Sequence, residues 1–113
     1  MRAEDRVRGL HMIEACESVK RFIQGRHRLD FESDQMLLFA VVRAIEVLGE
    51  AAGKVSEDTR SACPEIPWPE ITNMRNRLIH GYFDIDVDIV WNTASIELPA
   101  LLTDLRRIAH AQT

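Results

Sequence analysis

The chain is poor in residues that cross-link or interrupt a fold. Two cysteines, Cys16 and Cys63, occur among 113 residues without a C-x-x-C pair, which excludes a disulfide-dense scaffold and favours reduced thiols over a structural metal. Five glycines and four prolines exclude collagen-like and low-complexity chains, and aromatic residues make up only 6%. The longest apolar run, Met36 to Val42, is far short of the roughly 20 residues of a membrane span. The first twenty residues carry charges throughout, so the sequence predicts a cytoplasmic protein, neither exported nor inserted in a membrane. A net charge of −4 argues against non-specific coating of nucleic acid, which relies on a strongly basic surface.

Hydrophobic residues at 46% and charged residues at 28% are the proportions of a globular protein able to build a core. Residues 1–113 are expected to form a single domain, small enough for a second copy to help stabilise it. Charge is unevenly spread: seven Arg or Lys against four acids through Arg28, seven against fourteen from Leu29 onward. A polyanion would have to meet a local patch.

Apolar periodicity predicts four main helices in an up-and-down bundle, with no strand of consequence. Met12, Cys16, Val19 and Ile23 form the stripe of a first helix that Gly25 stops. Ser33 and Asp34 open a second, central helix whose apolar positions, Leu37 to Ala52, nearly surround it until Gly53. A short turn at Ser56 to Arg60 and a proline-rich spacer lead to a third helix, from Pro69 at its first position to about His80, with Gly81 as a left-handed stop. The fourth starts near Asp86 and runs as a three-four stripe to Ile108, interrupted by a kink at Pro99.

The third helix carries the candidate chemistry. On a helical wheel Arg75 falls within the apolar arc of Ile71, Met74 and Leu78, so its guanidinium must snorkel, pair with a carboxylate or meet an anion. Asn76 and His80 share the opposite face. Arg75 and His80 stand about 140° apart on an ideal helix, so joint action on one phosphate needs the last turn to unwind or two chains to converge. A symmetric dimer would line one cleft with two copies of each residue.

The segment Arg75-Asn76-Arg77-Leu78-Ile79-His80-Gly81-Tyr82 resembles the Arg-x(4–6)-His-x-Tyr motif of HEPN-superfamily ribonucleases, in particular their HepT-like toxin branch. Asp5 to Arg8, Ile45 to Ala51, Pro64 to Trp68, Asp84 to Trp91 and Leu98-Pro99 are similar to stretches typical of that branch. The resemblance implies an all-α HEPN bundle, homodimeric through the second and third helices, acting as a metal-independent endoribonuclease toxin with no cofactor. It implies catalytic roles for Arg75 and His80, phosphate positioning for Asn76, and an RNA substrate. It further implies a partner, a minimal nucleotidyltransferase antitoxin of the MntA kind, which silences the toxin by attaching AMP to Tyr82.

Plainer roles compete for the same residues. His80 at a helix end would interact favourably with the helix dipole. Arg75 could pair with Glu46 or Glu50, and Arg43, Glu46 and Glu50 form a stripe that reads as a solvated face. Trp68, Trp91, Phe39 and Met74 read as core. His11, His27 and His110 fall at no metal-ligand spacing, and Arg2, Arg6 and Arg8 read as surface that could border an RNA groove. Two functional alternatives stay open: a non-catalytic binding module serving a nucleotidyltransferase, and a structural dimerisation domain.

Overall fold

A computed structural model describes residues 1–81 and 84–111. Among the described residues the fold is all-α apart from one minimal pair of antiparallel strands. Helix α1 spans Ala3–Phe22, with Glu4 and Asp5 in its first turn and Lys20 and Arg21 in its last, both matched to the helix dipole. Gly25 has φ 73°, the left-handed value that ends the helical path where the sequence expects it. A single turn, α2 (Asp30–Ser33), buries Phe31, whose ring meets Trp91 edge-on at 5.5 Å between centroids.

Helix α3 (Gln35–Gly53) starts at Asp34, whose side chain accepts the Leu37 N–H at 3.0 Å. It is the central element, packing against α1 on one side and the third helical arm on the other. The expected turn at Ser56 is helix α4 (Glu57–Ala62). Arg60 of α4 reaches back to donate to the carbonyls of Ala52, Gly53 and Val55, satisfying the end of α3. The Trp68 indole N–H donates to the Cys63 carbonyl at 3.1 Å, which fixes the proline-rich spacer.

The third arm departs from expectation. It is two short helices, α5 (Trp68–Thr72) and α6 (Met74–Leu78), separated at Asn73, and the chain leaves the helix at Leu78, before His80. Ile79–Gly81 forms strand β1, antiparallel to β2 (Asp84–Ile85), with Ile79 opposite Ile85. Both isoleucines pack half-buried on the core, and pairing them draws the chain out of helical geometry early. Among the described residues Gly25 alone has positive φ, so Gly81 is not a left-handed stop.

Asp86 caps α7 (Val87–Asn92), which continues through a wide π-helical turn at Thr93–Glu97 into α8 (Leu98–Ala111). The expected interruption thus takes the form of a π turn ahead of Pro99, whose missing N–H and bulky ring disfavour a regular helical bond to Ser95. Met12, Val41, Ile45, Leu48, Ile71 and Leu78 are the centre of one contiguous buried cluster. Trp68 and Met74 belong to it and Trp91 packs against it, whereas Phe39 does not: it is 52% exposed, because among the described residues no element covers the face of α3 it shares with Met36. Among the described residues no helix is long and apolar enough to cross a membrane.

Candidate active site

The described motif residues are spread over two consecutive pieces of backbone. Arg75 and Asn76 sit on α6, His80 on β1, and Tyr82 lies outside the described residues. The arm carrying them lies close to α3 because position 49 is glycine: a Cβ there would stand 3.2 Å from the Ile71 carbonyl oxygen. That approach brings α6 beside Glu46.

Arg75 Nε donates to Glu46 Oε2 at 2.9 Å. The carboxylate grips one edge of the guanidinium while the arginine side chain remains about half exposed, so the other N–H groups can address an anion in solvent. Of the three options open to it, Arg75 takes the carboxylate pairing while its remaining edge stays exposed. Glu50 instead meets Arg43 at 3.4 Å, so the stripe of Arg43, Glu46 and Glu50 is solvated at its ends and engaged at Glu46.

Asn76 is exposed and donates to Asn73 Oδ1 at 3.2 Å. This bond crosses the α5–α6 break. Next to it Arg77 pairs with Glu97 at 3.3 Å, tying α6 to the π turn. Pro69, Glu70, Asn73, Asn76 and Arg77 line a shallow hollow on this surface.

His80 is exposed, and its Nε2 lies 3.8 Å from Asp86 Oδ2. Since His80 is on a strand, the 140° separation from Arg75 on an ideal helix does not apply, nor does a helix-dipole role for this histidine. Among the described residues no hydrogen bond or ion pair links Arg75, Asn76 and His80 to one another. Arg75 and Asn76 are hydrogen-bonded to Glu46 and Asn73, whereas His80 has the Asp86 carboxylate as a neighbour beyond hydrogen-bond distance. Asp86 is the neighbour that the motif alone does not reveal; its signal in the sequence is an aspartate placed to start the fourth helix.

Among the described residues neither cysteine offers a nucleophile, and several arginines outside the motif are paired. Both cysteines are free and buried; burial pushes the Cys16 thiol up to about 12 and raises that of Cys63, so neither is a thiolate near neutrality. In the basic N-terminal third, Arg2 pairs with Asp58, Arg26 with Asp34, and Arg28 with Glu32 and Asp88. Among the described residues no group of three or more His, Cys, Asp or Glu side chains is arranged to hold a metal ion.

The "Ribonuclease HepT-like" family profile matches residues 12–108, nearly the whole chain and every motif residue. The chain belongs to the HepT-like ribonuclease family. It is 41% identical over 88 residues to a Thermococcus cleftensis protein named as a probable ribonuclease HepT, an alignment covering 78% of this chain and 80% of that protein. A Methanocaldococcus jannaschii protein whose name proposes it as an RNase is 35% identical over 97 residues, covering 86% of this chain and 80% of the relative. A relative from Caldanaerobacter subterraneus subsp. tengcongensis, named in the same way, is 35% identical over 98 residues, 87% of this chain and 88% of its own. No solved structure matches the chain.

Proposed function

We propose that this HepT-like protein is a metal-independent endoribonuclease toxin whose site is built from Arg75, Asn76 and His80. The observation that carries the reading is the state of Arg75: one edge of its fork is fixed on Glu46 and the remainder faces solvent, the arrangement an arginine needs to receive a phosphate. In the proposed reaction the 2′-oxygen of RNA attacks the adjacent phosphorus and the 5′-oxygen leaves. One proton departs from the 2′-hydroxyl and one is delivered to the 5′-oxygen, giving a 2′,3′-cyclic phosphate and a 5′-hydroxyl. Arg75 stabilises the negative charge that builds on the phosphorus oxygens, Asn76 orients the phosphate, and His80 exchanges protons. An imidazole, which can both take and give a proton near neutral pH, is the side chain suited to both transfers.

The site is completed by a second copy of the chain. Two copies joined along α3 and the third arm would set two His80 side chains in one cleft, one accepting the proton and the other giving it, and would gather arginines that the acidic chain otherwise disperses. The uncovered Met36 and Phe39 on α3 support this assembly.

Tyr82 is the proposed control point. A minimal nucleotidyltransferase antitoxin would join the Tyr82 oxygen to the α-phosphorus of ATP with loss of pyrophosphate. The added phosphodiester and nucleotide would then occupy space an RNA phosphate needs. Induced expression of the wild type and of His80→Ala in bacteria lacking the antitoxin, with growth and RNA integrity followed together, tests the proposal. Only the wild type should arrest growth and degrade RNA. Normal growth with intact RNA for a folded wild-type protein would overturn it. Neutralisation that persists in Tyr82→Phe would overturn the control mechanism.

A further inference from the structure

Asp86 is fixed at two points and faces His80 at a third, and together these span the end of the motif. Its backbone N–H donates to the Leu78 carbonyl at 2.7 Å, closing the step from α6 to the strand pair. Its Oδ1 accepts the Ile89 N–H at 3.1 Å as the cap of α7. Its other oxygen, Oδ2, faces His80 Nε2 at 3.8 Å. The cap and the backbone bond fix the carboxylate before any charge interaction with the imidazole is counted, so its direction does not depend on the state of His80.

We propose that Asp86 is a positioning residue for His80: its carboxylate, an electrostatic neighbour 3.8 Å from Nε2 and not a hydrogen-bond acceptor at that distance, favours hydrogen on Nε2 so that Nδ1 is the nitrogen presented to RNA. The inference rests on the ribonuclease reading for its consequence, though not for its geometry. A carboxylate opposite one ring nitrogen selects the tautomer that carries the proton there and favours the imidazolium over the neutral ring. Orientation matters here because the proton-exchanging nitrogen must point at the 2′- or 5′-oxygen, and an exposed histidine left unheld would rotate among several rotamers.

The other charged side chains on the elements packed around His80 are Arg75 and Arg77 of α6, Asp84 of β2 and Asp88 of α7; Glu46 faces this region from α3. Arg75, Arg77 and Asp88 have partners in Glu46, Glu97 and Arg28. Among the described residues only Asp86 places a carboxylate oxygen within the 4 Å range of an ion pair with the imidazole.

The two roles of Asp86 are separable by substitution. Asparagine caps a helix as well as aspartate does and keeps the backbone N–H, but carries no charge. Serine also caps, and is too short to reach the ring. The experiment follows the His80 ring nitrogens by NMR on the neutral imidazole in the wild type, Asp86→Asn and Asp86→Ser, with His80→Gln identifying the resonances, beside kcat and KM for RNA cleavage. The nitrogen shifts are expected to report hydrogen mainly on Nε2 in the wild type and a more even distribution over the two nitrogens in both variants. Expected kcat falls about tenfold with little change in KM, as for a loss confined to the proton-transfer step. An unchanged tautomer distribution in the folded variants overturns the proposal, and so does a changed distribution with unchanged kcat. A changed distribution in a protein whose wild type cleaves no RNA upholds the Asp86–His80 coupling and overturns the ribonuclease reading instead.

Discussion

Glu46 holds Arg75 by a single charge-assisted bond, 2.9 Å from Oε2 to Nε, across the junction between α3 and α6. Both groups are partly solvated, so the bond contributes little to stability, and its effect lies in where the guanidinium points. Glu46→Gln keeps the length and an accepting oxygen while weakening the grip. Its expected unfolding free energy is within about 0.5 kcal/mol of wild type, the range of an exposed ion pair. RNA cleavage should fall about tenfold, in line with modest misplacement of a phosphate-binding group. Glu46→Ala should lose more activity at similar stability. Denaturant unfolding beside cleavage rates checks both; equal activity of Glu46→Ala and wild type would refute the orienting role.

Gly49 and Gly9 offer a paired test of how the third arm is seated. A Cβ at Gly49 meets the Ile71 carbonyl at 3.2 Å, whereas one at Gly9, also within a helix, meets nothing within 4 Å. Gly9→Ala should stabilise the protein by about 0.5–1 kcal/mol, the ordinary gain from replacing a helical glycine. Gly49→Val should instead destabilise it by about 1–3 kcal/mol, since a backbone carbonyl cannot swing aside as a flexible side chain would. The same change pushes α5 and α6 off α3 and so separates Arg75 from Glu46. Chemical denaturation of the two variants against wild type distinguishes them by sign.

Asp5 ties the first turn of α1 to the start of α4. Its carboxylate accepts from the Ser56 hydroxyl at 2.6 Å, the Thr59 hydroxyl at 2.6 Å and the Ser56 N–H at 2.9 Å. Those bonds, led by the Ser56 hydroxyl, lower its pKa from the ordinary 3.8 to about 2. Because the folded value is depressed, the stabilisation is fully present above pH 4 and is lost as pH falls towards 2. Urea unfolding at several pH values should show the wild type weakening across that window. Asp5→Asn should be less stable at neutral pH and should show a shallower decline on acidification.

Sequence periodicity made the long helices legible because α1, α3 and α8 each bury one stripe, and their ends carry local signals such as Asp34 and Gly25. The third arm was less legible. Met74 and Leu78 keep helical spacing, but the competing β pairing of Ile79 with Ile85 is a non-local preference that a wheel cannot register. His80 consequently sits on a strand, and the angular conflict with Arg75 on an ideal helix disappears. At the site, the motif named Arg75, Asn76 and His80 and the helix-face pattern offered Glu46 as a partner for Arg75, whereas Asp86, 3.8 Å from His80, was legible only as the start of a helix. Phe39 was misread for a related reason: apolar residues nearly surround α3, and periodicity cannot say which face the chain itself leaves uncovered.

Met36 is 83% exposed and Phe39 52%, one turn apart on the helix that also supplies Glu46. Large apolar side chains grouped beside charged Arg43 are suited to a self-complementary contact, in which each residue meets its own copy or a close neighbour across a two-fold axis. If the second copy completes the site, activity and assembly must fail together. Phe39→Glu should leave helicity and thermal stability close to wild type, because the ring is not part of the core, while shifting the protein from dimer to monomer in sedimentation equilibrium. RNA cleavage should drop in parallel and recover partly at high protein concentration, as mass action restores the dimer. A Phe39→Glu monomer that cleaves RNA as fast as wild type would place the whole site within one chain.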